Sequence, residues 1–544
     1  MNATHQVENQ PPALTGYNAF SADAVFAAAV RASTGAWVAE QAAELGARVG
    51  DAVWQQHAHD ANRFTPELVT HDRFGHRVDR VDFHPAYHAL MAAGIERGVH
   101  ALAWSAGRDG AFSARATLFF LWNQLEHGTA CPMTMTFAAR QMFTHVPVLE
   151  QAWVPKLTAH QYDPRPLSVA EKSGVTVGMA MTEKQGGSDL REVQTRAVPL
   201  ADGTFALTGH KWFCSAPMSD AFFTLARTGE GVGCFFVPRT LPDGTRNPFL
   251  IQRLKDKVGN RSNASSEIEY RDTIAWPVGE PGRGIATLIE MAHLTRFDIV
   301  VGTAGMMRGA LHQVAHHVRH RAAFGKALGE HVLMQNVVAD LAVESEAALL
   351  MAFRLARAFD LAKSDEHERR VMRVLTPIAK YWHCKRMTPY MVEAMECFGG
   401  NGFVEEHPMA RLYREAPLNG IWEGSGNVIC LDVLRSMQKA PDAVQALLDE
   451  IDVAAKAHPA LGAHIAKIRK LLADPARLEL NARRVVEGLA LAAQAALLCE
   501  YSQPAVADAF IACRIAGEGG LAFGTLPASM DLAGLAARAG LAPS

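Results

Sequence analysis

The sequence predicts an α+β protein, mainly α, in which an N-terminal helical domain and a C-terminal helical bundle flank a middle antiparallel β-barrel domain. Three observations carry this prediction. Apolar residues recur at three- and four-residue spacing over about 22–155 and again over about 285–437, whereas period two prevails between about 178 and 278. The dipeptides Asp202-Gly203 and Asp243-Gly244 punctuate that middle stretch as hairpin turns, where positive φ is needed. Beyond residue 437 an Ala/Leu-rich segment predicts an appended helical domain. The expected divisions are therefore 1–177, 178–284, 285–437 and 438–544.

In order along the chain, Ala22 to Ala32 and Ala114 to Gln124 carry the helix period of the first domain. Strand-like runs follow at Phe205 to Thr208, Ala221 to Ala226, Cys234 to Val237 and Ile268 to Tyr270. Three long amphipathic segments, Ile285 to Arg319, Val332 to Ala362 and Val371 to Phe398, are joined by short links, the first of them Gly-containing, the pattern of an antiparallel bundle. In the last domain Asp474-Pro475 reads as the cap and first position of a helix. The tail from Ile515, rich in Gly and Ala, is expected to be poorly ordered.

At 544 residues the chain is too long for one core. With 49% hydrophobic and 20% charged residues it has the composition of a packed globular protein, and a net charge of −3 supplies no global pull toward nucleic acid or anionic membrane. The eight cysteines are scattered without a C-x-x-C pair, which argues against a zinc ribbon and a disulfide framework and for reduced thiols. Met1 to Asn18 is polar, without the basic head and apolar run of a signal peptide. The most apolar stretch, Leu489 to Leu498, is interrupted by Gln494 and too short to span a bilayer. These features predict a cytoplasmic protein without membrane contact.

The stretch Trp422-Glu423-Gly424-Ser425-Gly426-Asn427-Val428 joins a carboxylate to a glycine-softened helix entrance. Glu423 is the candidate base; Ser425 and Asn427 are natural caps for a helix from about Val428 to Met437, whose backbone N–H groups favour an anion. Met181-Thr182-Glu183-Lys184-Gln185-Gly186-Gly187-Ser188-Asp189 combines hydroxyls, glycines and exposed amides suited to gripping a polar ligand edge and a phosphate. In Gly209-His210-Lys211-Trp212-Phe213-Cys214-Ser215 two aromatics stand beside a hydroxyl, which suits either a planar heterocycle or packing in the barrel core. Arg321-Ala322-Ala323-Phe324-Gly325 ends a helix with a guanidinium that could grip phosphate or simply satisfy the helix terminus. Glu396-Cys397-Phe398-Gly399-Gly400-Asn401-Gly402 is a glycine-rich turn, but it does not follow a strand and so fails as a Rossmann motif. His316 and His320 lie one helical turn apart without an intervening Glu or a third ligand, and read as a solvated face; no metal site is expected.

Taken in this order, these stretches resemble the acyl-CoA dehydrogenase family over roughly residues 85–437. The resemblance implies an FAD-containing flavoprotein, usually a homotetramer, that dehydrogenates an acyl-CoA between its α and β carbons. It implies that Met181 and Thr182 border the isoalloxazine, that Ser188 reaches the pyrophosphate, and that Phe213 and Ser215 lie at the flavin ring and its N5 region. Arg321, Phe324, Glu396, Gly399 and Gly400 would correspond to elements reaching the FAD of a neighbouring subunit. Ser425 and Asn427 would follow the catalytic glutamate, Glu423, whose backbone N–H and a flavin ribityl hydroxyl would polarise the thioester carbonyl. Three departures stand out: Phe213 replaces a customary tryptophan, Val332 a common glutamine, and Glu396 a glutamine. Together with the run Arg253 to Ser265 and the extra C-terminal domain, they make the chain similar to the AidB-type adaptive-response flavoproteins. That branch is associated with binding double-stranded DNA, protection against alkylation damage and feeble dehydrogenase activity.

A DNA-binding appendage should be basic. Residues 438–544 hold ten Lys and Arg against eleven Asp and Glu, a net charge of −1. A local patch is still conceivable: Arg477 and Arg484 lie seven apart on one predicted helix with Arg483 adjacent, and Arg435 and Lys439 stand at the junction with the bundle; contact there would be to backbone phosphates.

Overall fold

The computed structural model describes residues 4–34 and 36–541. They group into two compact units, one formed by Val53–Ala111 and Glu126–Asp298, the other by the described parts of Met1–Ala52, Phe112–Leu125 and Ile299–Ser544.

The first unit is built on a sheet. An antiparallel hairpin, β1 (Glu67–His71) and β2 (Arg77–Asp82), precedes β3 (Val177–Ala180), β4 (Arg196–Pro199), β5 (Phe205–Ser215), β6 (Ala221–Thr228), β7 (Gly231–Pro238), β8 (Phe249–Leu254) and β9 (Ser265–Val278). Strands β6, β4, β5, β9 and β7 pair in that order and β7 returns to β6, closing a barrel; β3 adds to β6 and β8 to β9. Closure removes free edges. Two pairings, β3 with β6 and β4 with β6, are parallel, so the sheet is mixed where the sequence pattern predicts a purely antiparallel one.

Strand β6 reads Ala-Phe-Phe-Thr-Leu-Ala without alternation because both of its faces are covered. Phe222 and Phe249 stack inside the barrel, while Phe223 and Phe236 meet Phe143 and Trp153 from the helical side. The hairpin lies in a region whose sequence reads as helical, and its buried anchor is Asp79: the backbone N–H of Ile251 donates to it at 3.0 Å, and Arg77 and Arg246 pair with it. Strands of four to six residues, such as β1, β3, β4 and β8, are too short for period two to stand out in sequence.

In the second unit, helices Ala24–Thr34, Ala39–Gly50, Val332–Leu361, Glu366–Glu396, Pro408–Asn419 and Gly426–Lys439 pack with the part of helix Gly284–His320 from Ile299 onward. Helix Gly284–His320 approaches the 111–125 helix so closely that a Cβ on Gly305 would lie 2.4 Å from the Phe120 carbonyl oxygen. Arg308 closes on Asp23 with two 2.7 Å hydrogen bonds, both side chains fully buried.

Residues from 438 onward belong to the same unit as the bundle. Helices Pro441–Ala455, Pro459–Leu472 and Pro504–Phe510 each begin with proline, whose missing N–H costs nothing in a first turn. Trp382 donates to Gln494 Oε1 at 2.9 Å, and Arg354 bridges Glu368 and Glu450. Pro475 opens only the single 3-10 turn Pro475–Arg477; the following α-helix starts at Ala482. Arg477 and Arg484 therefore do not share a helix, contrary to the sequence expectation.

The tail is ordered rather than loose. Arg514 pairs with Asp340 and Glu344, the Gly524 and Leu526 N–H groups donate to Asp340 and Asn336, and Arg538 closes on Glu346. Its low-complexity composition conceals these long-range anchors. Among the described residues no helix is long and apolar enough to cross a membrane, and no disulfide joins any of the eight cysteines.

Candidate active site

The chain leaves helix Pro408–Asn419 through a turn in which the Trp422 N–H donates to the Leu418 carbonyl. Glu423 then adopts φ +55° and Gly424 φ +106°. A glutamate in the left-handed region costs about 1–2 kcal/mol and persists only where its surroundings hold it. The holding group is Lys380 on helix Glu366–Glu396, only 1% exposed, whose Nζ donates to the Gly424 carbonyl oxygen at 2.6 Å. Glu423 itself is half-buried.

Helix Gly426–Lys439 begins two residues earlier than its sequence pattern indicates. Ser425 occupies the N-cap position, but its hydroxyl makes no capping hydrogen bond, and Asn427 sits in the first turn, where its Oδ1 accepts from Arg483 Nε at 2.8 Å. Side-chain capping by these two residues is thus not what forms the entrance: the glycines and Lys380 shape it. The Trp422 indole N–H is buried without a hydrogen-bond partner.

A second group assembles at the other end of helix Glu366–Glu396. Glu396 is its last residue, 16 positions or about 24 Å from Lys380. After it, Gly399 has φ +58°, and a Cβ on either Gly399 or Gly400 would meet nothing within 4 Å. Phe398 packs against His317 with the rings tilted by 32° and 4.2 Å between centroids, which joins this turn to the end of helix Gly284–His320 and hence to Arg321. Burial, reinforced by the cationic partners His407 and Arg321, pushes the His317 imidazole down to about 4. Arg321 reaches the Asn9 carbonyl, and Phe324-Gly325, both with positive φ, form the tip of the small hairpin of β10 (Ala322–Ala323) and β11 (Lys326–Ala327). Phe324 is 98% exposed. His316 and His320 bond the Pro12 and His316 carbonyls.

In the sheet unit, Met181 and Thr182 follow β3, and the Trp212 N–H donates to the Thr182 carbonyl at 2.8 Å, bringing them beside Phe213 and Ser215 at the end of β5. The loop is tethered from below. Glu183, fully buried, takes Lys211 Nζ at 2.7 Å, Thr195 Oγ1 at 2.6 Å and the Gln194 N–H at 2.7 Å. Burial acts to raise its carboxyl, but the Lys211 ammonium and these hydrogen bonds outweigh that and hold it down to about 2. Gly187 is required here, since a Cβ would lie 2.3 Å from Thr182 Oγ1. Ser188 is exposed, Phe213 is 51% exposed, and Ser215 Oγ lies 3.2 Å from Ser265 Oγ. Lys255 Nζ stands 3.3 Å over the Trp212 ring and 4.8 Å from that of Phe213.

Lys380, the Glu183–Lys211 pair, Lys255 and Arg483's bond to Asn427 escape sequence reasoning. The one available signal is Lys380 itself, a charge set in the apolar and aromatic run Ile378, Ala379, Tyr381 and Trp382. Of the residues considered for DNA, Arg435, Lys439, Arg477 and Arg484 are exposed, and Arg483 is engaged by Asn427.

Comparison with known proteins follows this geometry. Residues 9–164 match the family described as Adaptive response protein AidB N-terminal domain, 178–273 the acyl-CoA dehydrogenase middle domain, and 282–438 the acyl-CoA dehydrogenase C-terminal domain. The chain is 43% identical over 521 residues to the Escherichia coli (strain K12) protein named "Putative acyl-CoA dehydrogenase AidB", covering 95% of this chain and 96% of that one. It is 31% identical over 414 residues to acyl-CoA dehydrogenase family member 11 of Caenorhabditis elegans, covering 72% and 66%. Among solved structures, Caenorhabditis elegans ACDH-11 in complex with C11-CoA superposes with a TM-score of 0.86 at 25% identity, covering 94% of each chain. An acyl-CoA dehydrogenase of Bacillus anthracis complexed with FAD shares the fold, with a TM-score of 0.62 at 20% identity over 79% of this chain and 77% of that one.

Proposed function

Because the chain belongs to the acyl-CoA dehydrogenase family, in its AidB-type branch, we propose that it is an FAD-dependent oxidoreductase that dehydrogenates an acyl-CoA, with Glu423 as the base. The observation that carries this reading is the left-handed turn at Glu423, locked by the Lys380–Gly424 hydrogen bond, which gives one carboxylate a fixed position beside a glycine-lined helix entrance.

The residues present fit the cofactor. Ser188 and Ser425 offer exposed hydroxyls, Gly186, Gly399 and Gly400 leave space for a close approach, and the buried Trp422 indole N–H has a hydrogen bond to give. By the family resemblance, Met181, Thr182, Ser188, Phe213, Ser215, Ser425 and Asn427 are the residues that would hold FAD. When bound, FAD supplies a hydride acceptor. Glu423 takes the α-proton of the thioester; the electrons of that C–H bond become the new Cα=Cβ bond as the β-hydrogen departs with its own electron pair.

Arg321, Phe324, Glu396, Gly399 and Gly400 would serve the FAD of a second copy in a homotetramer. The exposed apolar side chains Phe324, Val332, Leu333 and Phe403 supply a contact surface for that copy. The test is direct: purified protein should carry, or take up, FAD with oxidised-flavin absorbance, and anaerobic acyl-CoA of some chain length should bleach it. Protein that cannot be loaded with FAD would refute the proposal.

Double-stranded DNA is the second reading, favoured by the match of residues 9–164 to an adaptive-response domain. Arg435, Lys439, Arg477 and Arg484 would contact backbone phosphates. Binding to random duplex should then weaken steeply with salt, and Arg477→Ala with Arg484→Ala should lower the slope. Absence of binding at low salt would refute it.

A further inference from the structure

We infer that Arg483, contributed by the C-terminal segment, is a cofactor-positioning residue that fixes the Asn427 amide toward the phosphates of FAD, and is not primarily a nucleic-acid contact. This rests on the FAD reading above and extends it to a region outside the three matched family domains.

Arg483 lies in the first turn of helix Ala482–Tyr501, 56 residues beyond Asn427, and its Nε donates to Asn427 Oδ1 at 2.8 Å. A guanidinium has only donors. The amide atom facing it must therefore be the oxygen, so the Asn427 NH2 group, with two donors, is turned the other way. In an amide without such a partner, the two ends could exchange. A fixed NH2 group suits an acceptor-rich ligand such as a phosphate and disfavours a donor.

The surroundings agree with an anionic ligand. Lys385 approaches the same entrance from helix Glu366–Glu396: a Cβ on Gly426 would lie 3.1 Å from its Cε and 3.4 Å from its Nζ. Both Lys385 and Arg483 are exposed, and neither has an ion-pair partner within 4.0 Å among the described residues. The first turn of helix Gly426–Lys439 contains no acidic residue to offset its dipole. Two accessible cations on different elements, an oriented amide and an unneutralised helix start thus converge within four residues of Glu423.

The test is FAD affinity of the full chain, read by quenching of flavin fluorescence, for wild type, Arg483→Ala, Asn427→Ala and the double variant, with Lys467→Ala as a surface-charge control. Arg483→Ala is expected to weaken FAD binding about tenfold. Arg483→Lys should recover part of the loss, because it keeps the charge and loses the planar fork. The double variant should be no worse than Asn427→Ala alone, since one residue acts through the other. Lys467→Ala should bind as wild type does.

If wild type binds FAD and folded Arg483→Ala binds it within twofold as well, this inference is overturned while the flavoprotein reading stands; the same holds if Arg483→Ala loses only duplex binding. If wild type itself takes no FAD, both fall. Should Arg483→Ala not fold, Arg483→Lys carries the same comparison, with an unchanged affinity counting against the inference.

Discussion

Lys380 Nζ donates to the carbonyl oxygen of Gly424 at 2.6 Å, so a buried ammonium fixes the peptide immediately after Glu423 in a conformation that glutamate does not favour by itself. The peptide beside the proposed base is thus tied to a residue 43 positions earlier on another helix.

Lys380→Met should consequently damage catalysis more than cofactor binding. Without the ammonium the turn relaxes toward right-handed φ, and a displacement of the carboxylate by about 1 Å costs on the order of a hundredfold in rate. Stopped-flow flavin reduction by acyl-CoA should slow by about that factor while FAD affinity changes less than threefold. An unchanged rate would show that the loop holds Glu423 unaided.

The Glu183–Lys211 pair beneath the Thr182 loop predicts a stability loss with a characteristic asymmetry. Glu183→Gln strands a buried ammonium and should cost about 3–5 kcal/mol in urea unfolding, whereas Glu183→Leu combined with Lys211→Met should cost less. Equal losses would mean that the pair acts through packing alone.

The same carboxyl sets an acid limit. Its pKa is held to about 2 against 4.5 for an unconstrained glutamate, so the folded state releases this proton more readily than the unfolded chain. The contribution is complete above about pH 4.5 and disappears as pH falls toward 2. Urea midpoints should decline across this window, and the decline should shrink in the Glu183→Leu/Lys211→Met variant.

Phe324→Ser removes a ring that is 98% exposed, so protomer stability should be unaffected. Its effect should appear in assembly: light scattering should show a weakened oligomer, with FAD bound less tightly. A variant that assembles and binds FAD as wild type does would remove Phe324 from the subunit contact.

The tail offers a mechanical test. Arg514→Met leaves Asp340 and Glu344 with one guanidinium, that of Arg386 on Glu344, in place of two. Limited proteolysis should then cut in the segment after Ile515, which resists in wild type.

How far the sequence reveals this molecule follows from where its signals reside. Strands β5, β6, β7 and β9 are legible because each is eight or more residues long and carries a run of apolar and β-branched or aromatic residues. The β1–β2 hairpin is not, since its order depends on Asp79 meeting Arg246, 167 residues away. The ordered tail is equally silent in sequence: its anchors are Asp340, Asn336 and Glu346, far back on helix Val332–Leu361. At the candidate site, Gly424 and Gly426 announce a turn, and the resemblance of several motifs in order supplies Glu423. The bond from Lys380 to the Gly424 carbonyl and that from Arg483 to Asn427 are tertiary contacts that no local pattern encodes.

The most direct measurement is an anaerobic titration of FAD-loaded wild type and Glu423→Gln with acyl-CoAs of graded chain length, following the oxidised-flavin absorbance. The account predicts that at least one acyl-CoA bleaches the wild-type flavin and that Glu423→Gln, loaded with FAD to the same level, stays yellow with it. Bleaching of both proteins at equal rates would contradict the assignment of Glu423 as the base.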